Sequence, residues 1–261
     1  MPALESNLDV SSEAFEKNRA DMQDLLETMN GLLAEAAEGG GPEATARLRS
    51  RNKIPIRERI AHVLDRDSPF LEISPLAAWR SPFAVGSGFV VGIGVIKDVE
   101  CVILGHDPSV RAGAFNQFNS KKLMRGLQIS RENRLPYIQF VESAGADLRG
   151  QGSDEDPEEA IQREIGHFAE SGRLFYEITE LSKIGIPTVS LVFGASTAGG
   201  AYQPGMSDYN ILIKNQSRVF LGGPPLVKMA TGEDADPESL GGADMHTTIS
   251  GLGDYLAQDE M

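Results

Sequence analysis

The chain has 261 residues, 41% of them hydrophobic, enough for one large domain or two small ones. Lys plus Arg number 24 against 38 Asp plus Glu, so the formal charge of −14 excludes a bulk attraction for nucleic acid or anionic lipid. No apolar run approaches the roughly 18 residues of a membrane span, and the single cysteine, Cys101, leaves no internal disulfide. Cys101 lies in the apolar run Cys101–Leu104 and reads as a buried structural thiol in a reducing compartment, which we take as cytoplasmic. Met1–Glu5 has neither a basic region nor an apolar core, so no signal peptide is read, and the four histidines share no metal-ligand spacing.

The first predicted element is an amphipathic helix over 11–37. Ser11 or Ser12 caps it, and Phe15, Met22, Leu25, Leu26, Met29, Leu32 and Leu33 recur at three- and four-residue spacing. That stripe is read as packing on the main body or on a partner subunit. Gly39–Pro42 ends the helix as a flexible joint, giving residues 1–41 as helix and linker and 42–261 as the main domain. Arg47–Lys53 is the one dense basic cluster: a solvated face or a phosphate contact. Pro55–Leu64 reads as a helix and Phe70–Ile73 as a short strand.

From Gly88 the period changes. Phe89–Ile96 and Glu100–Gly105 read as an antiparallel pair turned at Lys97–Asp98, followed by a helix over Asn116–Arg134. Leu135–Val141 is a buried strand running into Glu142–Leu148, a turn of small residues. Gly150–Asp156 is a polar loop, and Ala160–Lys183 a long helix with Ile161, Ile165, Phe168, Leu174, Phe175, Ile178 and Leu181 on its core face. Next come a strand at 187–193, a glycine-rich turn at 194–200, a short helix, and a strand at 209–213. Arg218–Leu221 is the last predicted strand and Pro224–Ala230 one or two helical turns. From Thr231 onward we expect loops or disorder. Strands alternating with helices mean an α/β domain, whose ligands lie at the strand ends.

The two small-residue turns, 142–148 and 194–200, carry the chemistry. Glycine lets a ligand approach the backbone closely, and the free N–H groups of a helix start favour negative charge. Such a turn holds a phosphate or the oxyanion of a thioester enolate, or simply packs a helix on a sheet. An oxyanion hole needs two converging N–H donors, which two strand ends of one sheet can supply. His106 and His167 read as structural, and Asp147 and Asp208 as caps or turn formers.

Four stretches together resemble one family: Arg51–Lys53 with Arg57–Ile60; Glu142–Leu148; Gly194–Asp208; and Phe220–Glu233, with Leu240–His246 fitting as well. The chain is similar over residues 45–255 to the carboxyltransferase (β) subunits of biotin-dependent acyl-CoA carboxylases. Within these, Thr197–Gly199 and Gly223–Lys228 point to the methylcrotonoyl-CoA and geranyl-CoA branch. The resemblance implies the crotonase (ClpP-like) ββα superhelix and an oligomer. It implies a pair of N–H donors on the thioester oxygen, from Gly145 or Ala146 and from Gly199 or Gly200, where losing one donor costs about 2.7–4 kcal/mol. It implies carboxybiotin, carried on a biotin carboxylase/biotin carrier partner, as carboxyl donor, and a biotin-side half that would complete the site. Arg49, Arg51 and Lys53 are the first candidates for the CoA phosphates, then Lys121 and Lys122. Enoyl-CoA hydratases carry glutamates where Tyr202 and, approximately, Pro225 stand here, so water addition is disfavoured and no side-chain base is nominated. A non-catalytic assembly module and a stand-alone crotonase-type enzyme are the alternatives.

Overall fold

The computed structural model describes residues 6–147 and 172–261. The predicted loop Gly150–Asp156, the first part of the predicted long helix and His167 lie outside the described residues. Helix α1 (Glu13–Glu38) starts at Ser12, whose Oγ accepts from the Phe15 N–H at 3.3 Å. Of its residues only Ala36 is buried, while Met22, Leu25, Leu26 and Met29 are exposed. Leu32 and Leu33 are half-buried, so among the described residues only the C-terminal end of the stripe packs on this body. The expected flexible joint is a packed corner: the Gly40 N–H donates to Ser109 Oγ at 2.9 Å, and α2 (Gly41–Arg49) follows at once. A Cβ on Gly39 would meet Asp107 and one on Gly40 the Ser109 carbonyl, both at 2.2 Å, so close approach is what these glycines provide.

Helix α3 (Ile56–Val63) leads to β1 (Leu71–Glu72), the hairpin β2 (Phe89–Ile96) and β3 (Val99–His106), helix α4 (Gln117–Asn133), strand β4 (Tyr137–Ser143) and helix α5 (172–183). Strand β5 (Thr188–Thr197) runs into a 3-10 turn (Ala198–Ala201) and the one-turn α6 (Tyr202–Gly205). β6 (Tyr209–Ile213), β7 (Arg218–Phe220), α7 (Pro224–Thr231), α8 (Pro237–Gly241), α9 (Ala243–Met245) and β8 (Tyr255–Ala257) complete the described chain. The region expected to be loops after Thr231 is thus largely ordered. Asp236 caps α8 by accepting from the Ser239 N–H at 2.8 Å, and β8 pairs with β6 from Ile211↔Tyr255 to Ile213↔Ala257. Short capped turns and a three-residue strand leave almost no periodicity to read.

The sheet runs β1-β2-β3-β4-β5-β6-β8, with β7 pairing β5 off that path. β1, β2 and β3 are antiparallel neighbours, and β3, β4, β5, β6 and β8 are parallel. Helices cover both faces of its middle. Leu123 and Leu127 of α4 and Leu174, Ile178 and Leu181 of α5 meet Val91, Val102, Leu104 and Tyr137 on one side. Ile56 and Ile60 of α3 meet Val90, Ile103, Phe140 and Phe193 on the other. Burial on both faces explains why β3 reads as a continuous apolar run without alternation. Cys101 is buried there, as expected. No helix among the described residues is long and apolar enough to cross a membrane.

His106 ends β3. Its ring stacks on Phe89 (centroids 4.2 Å apart) and meets Phe115 edge-on at 5.4 Å, with no well-formed hydrogen bond at either nitrogen. Burial pushes its pKa down to about 3, against a weaker opposing pull from the Glu142 backbone. The unfolded imidazole takes its proton near pH 6.5, and the folded one only near 3. Stability is therefore lost as pH falls through that window and is independent of this group above it. In urea titrations across pH 3–6.5, His106→Leu should lose stability less steeply than wild type, by close to one proton. Equal slopes would show that His106 is not held neutral.

Candidate functional site

Parallel pairing brings the C-terminal ends of β4 and β5 side by side, and both small-residue bends leave from there. The glycine-rich turn is shorter than the sequence indicates. Gly194–Thr197 continue β5, because Ala195, Ser196 and Thr197 pair with Arg218, Val219 and Phe220 of β7, and Ser196 also pairs with Ser143 of β4. The bend itself begins at Ala198, a non-glycine residue in the left-handed region (φ 50°), a conformation that costs about 1–2 kcal/mol. Thr197 Oγ1 donates to the Ser143 carbonyl at 3.0 Å and ties the two strand ends together.

The two bends touch. A Cβ on Gly145 (φ 88°) would lie 3.3 Å from the Thr197 carbonyl oxygen and 3.4 Å from Ala198 Cβ, and one on Gly200 only 2.9 Å from Ser143 Cβ. Backbone pairing decides which amides are free. Phe115 forms a parallel bridge with Ala146: its N–H donates to the Gly145 carbonyl at 2.8 Å, and its carbonyl accepts from the Asp147 N–H at 2.9 Å. In such a bridge the central residue's own N–H points away from the partner, here away from Phe115. The Gly145 N–H donates to Ser143 Oγ at 3.1 Å. In a 3-10 turn each N–H bonds three residues back, so the amides of Gly200 onward are used and those of Ala198 and Gly199 are left over. Gly199 faces open space. Of the four residues named from sequence, Ala146 and Gly199 thus carry the available donors, while Gly145 and Gly200 supply close packing.

A turn the sequence reading did not single out supports the first bend. Arg111, Ala112 and Gly113 are all left-handed (φ 47°, 54° and 66°). The Ala112 carbonyl accepts from the Ala144 N–H at 3.1 Å, and a Cβ on Gly113 would sit 2.0 Å from the Glu142 carbonyl oxygen. Arg111 bonds the Asp147 carboxylate at 2.5 Å, so Asp147 is a structural partner here. Beneath the second bend, Gln203 donates to Gln139 Oε1 at 2.9 Å. Gln139 in turn donates to Ser190 Oγ (3.0 Å) and Ser207 Oγ (2.9 Å), all in the interior. Tyr202 points outward and packs on Phe175 (centroids 4.6 Å apart). Asp208 accepts from Ser182 Oγ and from the Thr188 N–H, fixing the start of β5.

The basic cluster splits. Arg49 pairs with Glu58 at 2.5 Å on the surface, and Arg51 is exposed. The Lys53 ammonium reaches the strand ends, where it pairs with Glu142 and donates to the Phe193 carbonyl at 3.1 Å. Buried Arg59 bridges Glu142 (3.2 Å) and Glu260 (2.8 Å) and stacks 4.3 Å over the Phe193 ring. Gly194 lets this cluster pass: a Cβ there would meet the Glu142 carboxylate at 2.6 Å and Lys53 Nζ at 2.7 Å. Lys122 is interior, donating to the Phe89 carbonyl at 2.7 Å, and burial lowers its pKa to about 8. Among the described residues no group of three or more His, Cys, Asp or Glu is placed to hold a metal.

Residues 47–261 match the model of the carboxyl transferase domain. The chain belongs to the carboxyl transferase domain family. It is 51% identical over 258 residues to a probable biotin-dependent acyl-coenzyme A carboxylase beta2 subunit of Mycobacterium tuberculosis, covering 99% of this chain and 46% of that one. It is 41% identical over 261 residues to the mitochondrial methylcrotonoyl-CoA carboxylase beta chain of Arabidopsis thaliana, covering 99% and 43%. In structure it resembles the beta subunit of Pseudomonas aeruginosa geranyl-CoA carboxylase, with a TM-score of 0.86 and 36% identity, covering 99% of this chain and 46% of that one. This carboxyl transferase domain therefore spans about half the length of these relatives, and the crotonase-like α/β architecture implied by the resemblance is the one it has.

Arg59 is where the domain's ion cluster is most exposed to test. Arg59→Met should lower unfolding free energy by about 3–5 kcal/mol, because carboxylates are left buried without their counter-charge. Adding Glu260→Gln should restore part of the loss. A single-variant cost below 1 kcal/mol in urea denaturation would show that the cluster is not stabilising.

Proposed function

We propose that this chain is the acyl-CoA-binding half of a biotin-dependent acyl-CoA carboxyltransferase. The observation that carries the reading is the convergence of the Ala146 and Gly199 bends at one sheet end, within a carboxyl transferase domain. Removing the α-proton of a CoA thioester, or its vinylogous γ-proton, builds negative charge on the thioester oxygen. Two fixed N–H donors aimed at that oxygen lower the barrier, each by about 2.7–4 kcal/mol. The bends are held by backbone ladders and by the Ser143–Thr197 tie, so little reorganisation is needed as the charge forms.

Among the described residues, the side chains near the bends do not offer a base. Glu142 is ion-paired with Lys53 and Arg59, Asp147 with Arg111, and Tyr202 stands on Phe175. The relatives' names imply carboxybiotin on a partner, which supplies the carboxyl group. The described residues offer one such pair of bends, which serves the thioester, and the biotin would be held by a partner. A biotin-side half and a biotin carboxylase/carrier subunit are the proposed partners, in an oligomer. Leu221, Leu226 and Met229 stand exposed just beyond β7, next to the second bend, as expected of a surface working against another half. We propose that residues 1–41, the helix with its packed corner, precede a carboxyl transferase domain over 42–261, a division that the family match from residue 47 supports. The one buried cysteine supports a reducing, cytoplasmic location.

The test is an amide-resolved NMR titration of the 15N-labelled chain. Methylcrotonoyl-CoA should shift the Ala146 and Gly199 amides, and free CoA, lacking the thioester carbonyl, should not. Binding without movement of either amide would overturn the assignment of these donors, and no binding of any acyl-CoA would overturn the reading.

A further inference from the structure

Both bends turn on glycine, and glycine does not hold a peptide plane by itself. The Ala146 N–H belongs to the peptide that Gly145 begins, and the Gly199 N–H stands at the head of the pair Gly199–Gly200. Rotation at either glycine site would swing one donor away from the other. Two serines beneath the bends prevent it. Ser143 of β4 and Ser196 of β5 are direct partners in the parallel ladder, so their side chains leave the sheet on one face, about 4.8 Å apart. They are 1% and 0% exposed.

Each hydroxyl holds the bend that follows its own strand. Ser143 Oγ accepts from the Gly145 N–H at 3.1 Å, two residues on, and Ser196 Oγ donates to the Gly200 carbonyl at 2.8 Å, four residues on. At the first bend the Gly145 carbonyl is held by the Phe115 N–H at 2.8 Å. The planes on both sides of the Gly145 Cα are then fixed, and with them its left-handed φ of 88° and the direction of the Ala146 N–H. At the second bend, Thr197 Oγ1 on the Ser143 carbonyl fixes the entry to the turn and Ser196 fixes its exit. The pair also spaces the bends. A Cβ on Gly200 would stand 2.9 Å from Ser143 Cβ and 3.6 Å from Ser196 Oγ, so the second turn rests on both serines. A buried hydroxyl is costly unless it is bonded. Alanine at both positions would carry no such demand, so the hydroxyls are explained by what they hold.

We propose that Ser143 and Ser196 are positioning residues, which touch no substrate and act by setting the direction of the Ala146 and Gly199 amides so that both meet one thioester oxygen. The inference rests on the thioester reading above and deepens it. A hydrogen bond weakens steeply as its angle closes, so two donors polarise one carbonyl only while both stay aligned. A bend released from its serine keeps its place in the chain but turns its amide through other directions, because glycine sets no preference of its own.

The measurement is the 13C resonance of methylcrotonoyl-CoA labelled at its thioester carbonyl and bound at saturation to the full chain. Wild type should move it downfield of its free position as the two donors polarise the bond. Ser143→Ala and Ser196→Ala should each reduce that displacement at least twofold. Ser143→Cys, which keeps the volume and leaves only a weak acceptor, should fall between. The control is Ser130, also buried, whose hydroxyl donates to the Leu135 carbonyl at 2.6 Å at the other end of β4 from the bends. Ser130→Ala removes a comparable bond and should leave the displacement unchanged. If an alanine variant of the pair fails to fold, Ser143→Cys compared with Ser130→Ala decides. Equal displacement in wild type and the serine-pair variants, or an equal reduction in Ser130→Ala, would overturn the positioning role. The two readings fail separately. A wild-type chain that binds the thioester without displacing its carbonyl resonance removes the donor assignment, and this inference with it. A displacement that survives loss of both hydroxyls leaves the donors standing and removes only the part given to the serines.

Discussion

Parallel pairing of β4 with β5 is the constraint on which the site depends. The ladder runs in register from Tyr137↔Thr188 to Val141↔Val192, then slips before Ser143↔Ser196. The slip ends two strands of different length at a common level. From there each strand turns through small residues, so that two separate stretches of sequence present backbone amides to one region. Antiparallel pairing of the same strands would send the two bends to opposite ends of the sheet.

What stands around the bends is polar and hydrogen-bonded, save for the buried Gln203 Oε1, which has no partner among the described residues. Lys53, Arg59, Glu142 and Glu260 form one ion cluster on the α3 side. Gln139, Gln203, Ser190 and Ser207 form one hydrogen-bonded cluster under α6. Such networks specify geometry more than they add stability, because each member is costly to leave unmatched. Here they fix the strand ends and the turn after them, the parts whose position an oxyanion would sense. The left-handed run Arg111–Gly113 does the same for the first bend through backbone contacts alone.

Much of this was legible in the residues. The hairpin at 89–105, the helix from Asn116, and the strands at 137 and 188 follow from apolar runs and turn signals, because local pattern and tertiary environment agree there. The glycine-rich stretch was placed correctly but its turn began too early. Gly194 is there to make room for Lys53 and Glu142, and a contact 89 residues long has no local signature. Lys122 reads from sequence as a candidate phosphate contact, and only the fold shows that its ammonium turns inward to a strand carbonyl. The choice of Ala146 over Gly145, and of Gly199 over Gly200, depends on which N–H is already bonded. That is a property of pairing across the sheet and cannot be read along the chain.

The Arg59–Glu260 clasp has a consequence for how the molecule is made. Its two members are separated by 201 residues. At a synthesis rate of about 5–20 residues per second, the guanidinium would emerge roughly 10–40 s ahead of this carboxylate. Glu142, 83 residues downstream, arrives sooner and also neutralises the cation. The nascent sheet can therefore hold Arg59 on Glu142 first, and the clasp closes once Glu260, just past β8, has emerged.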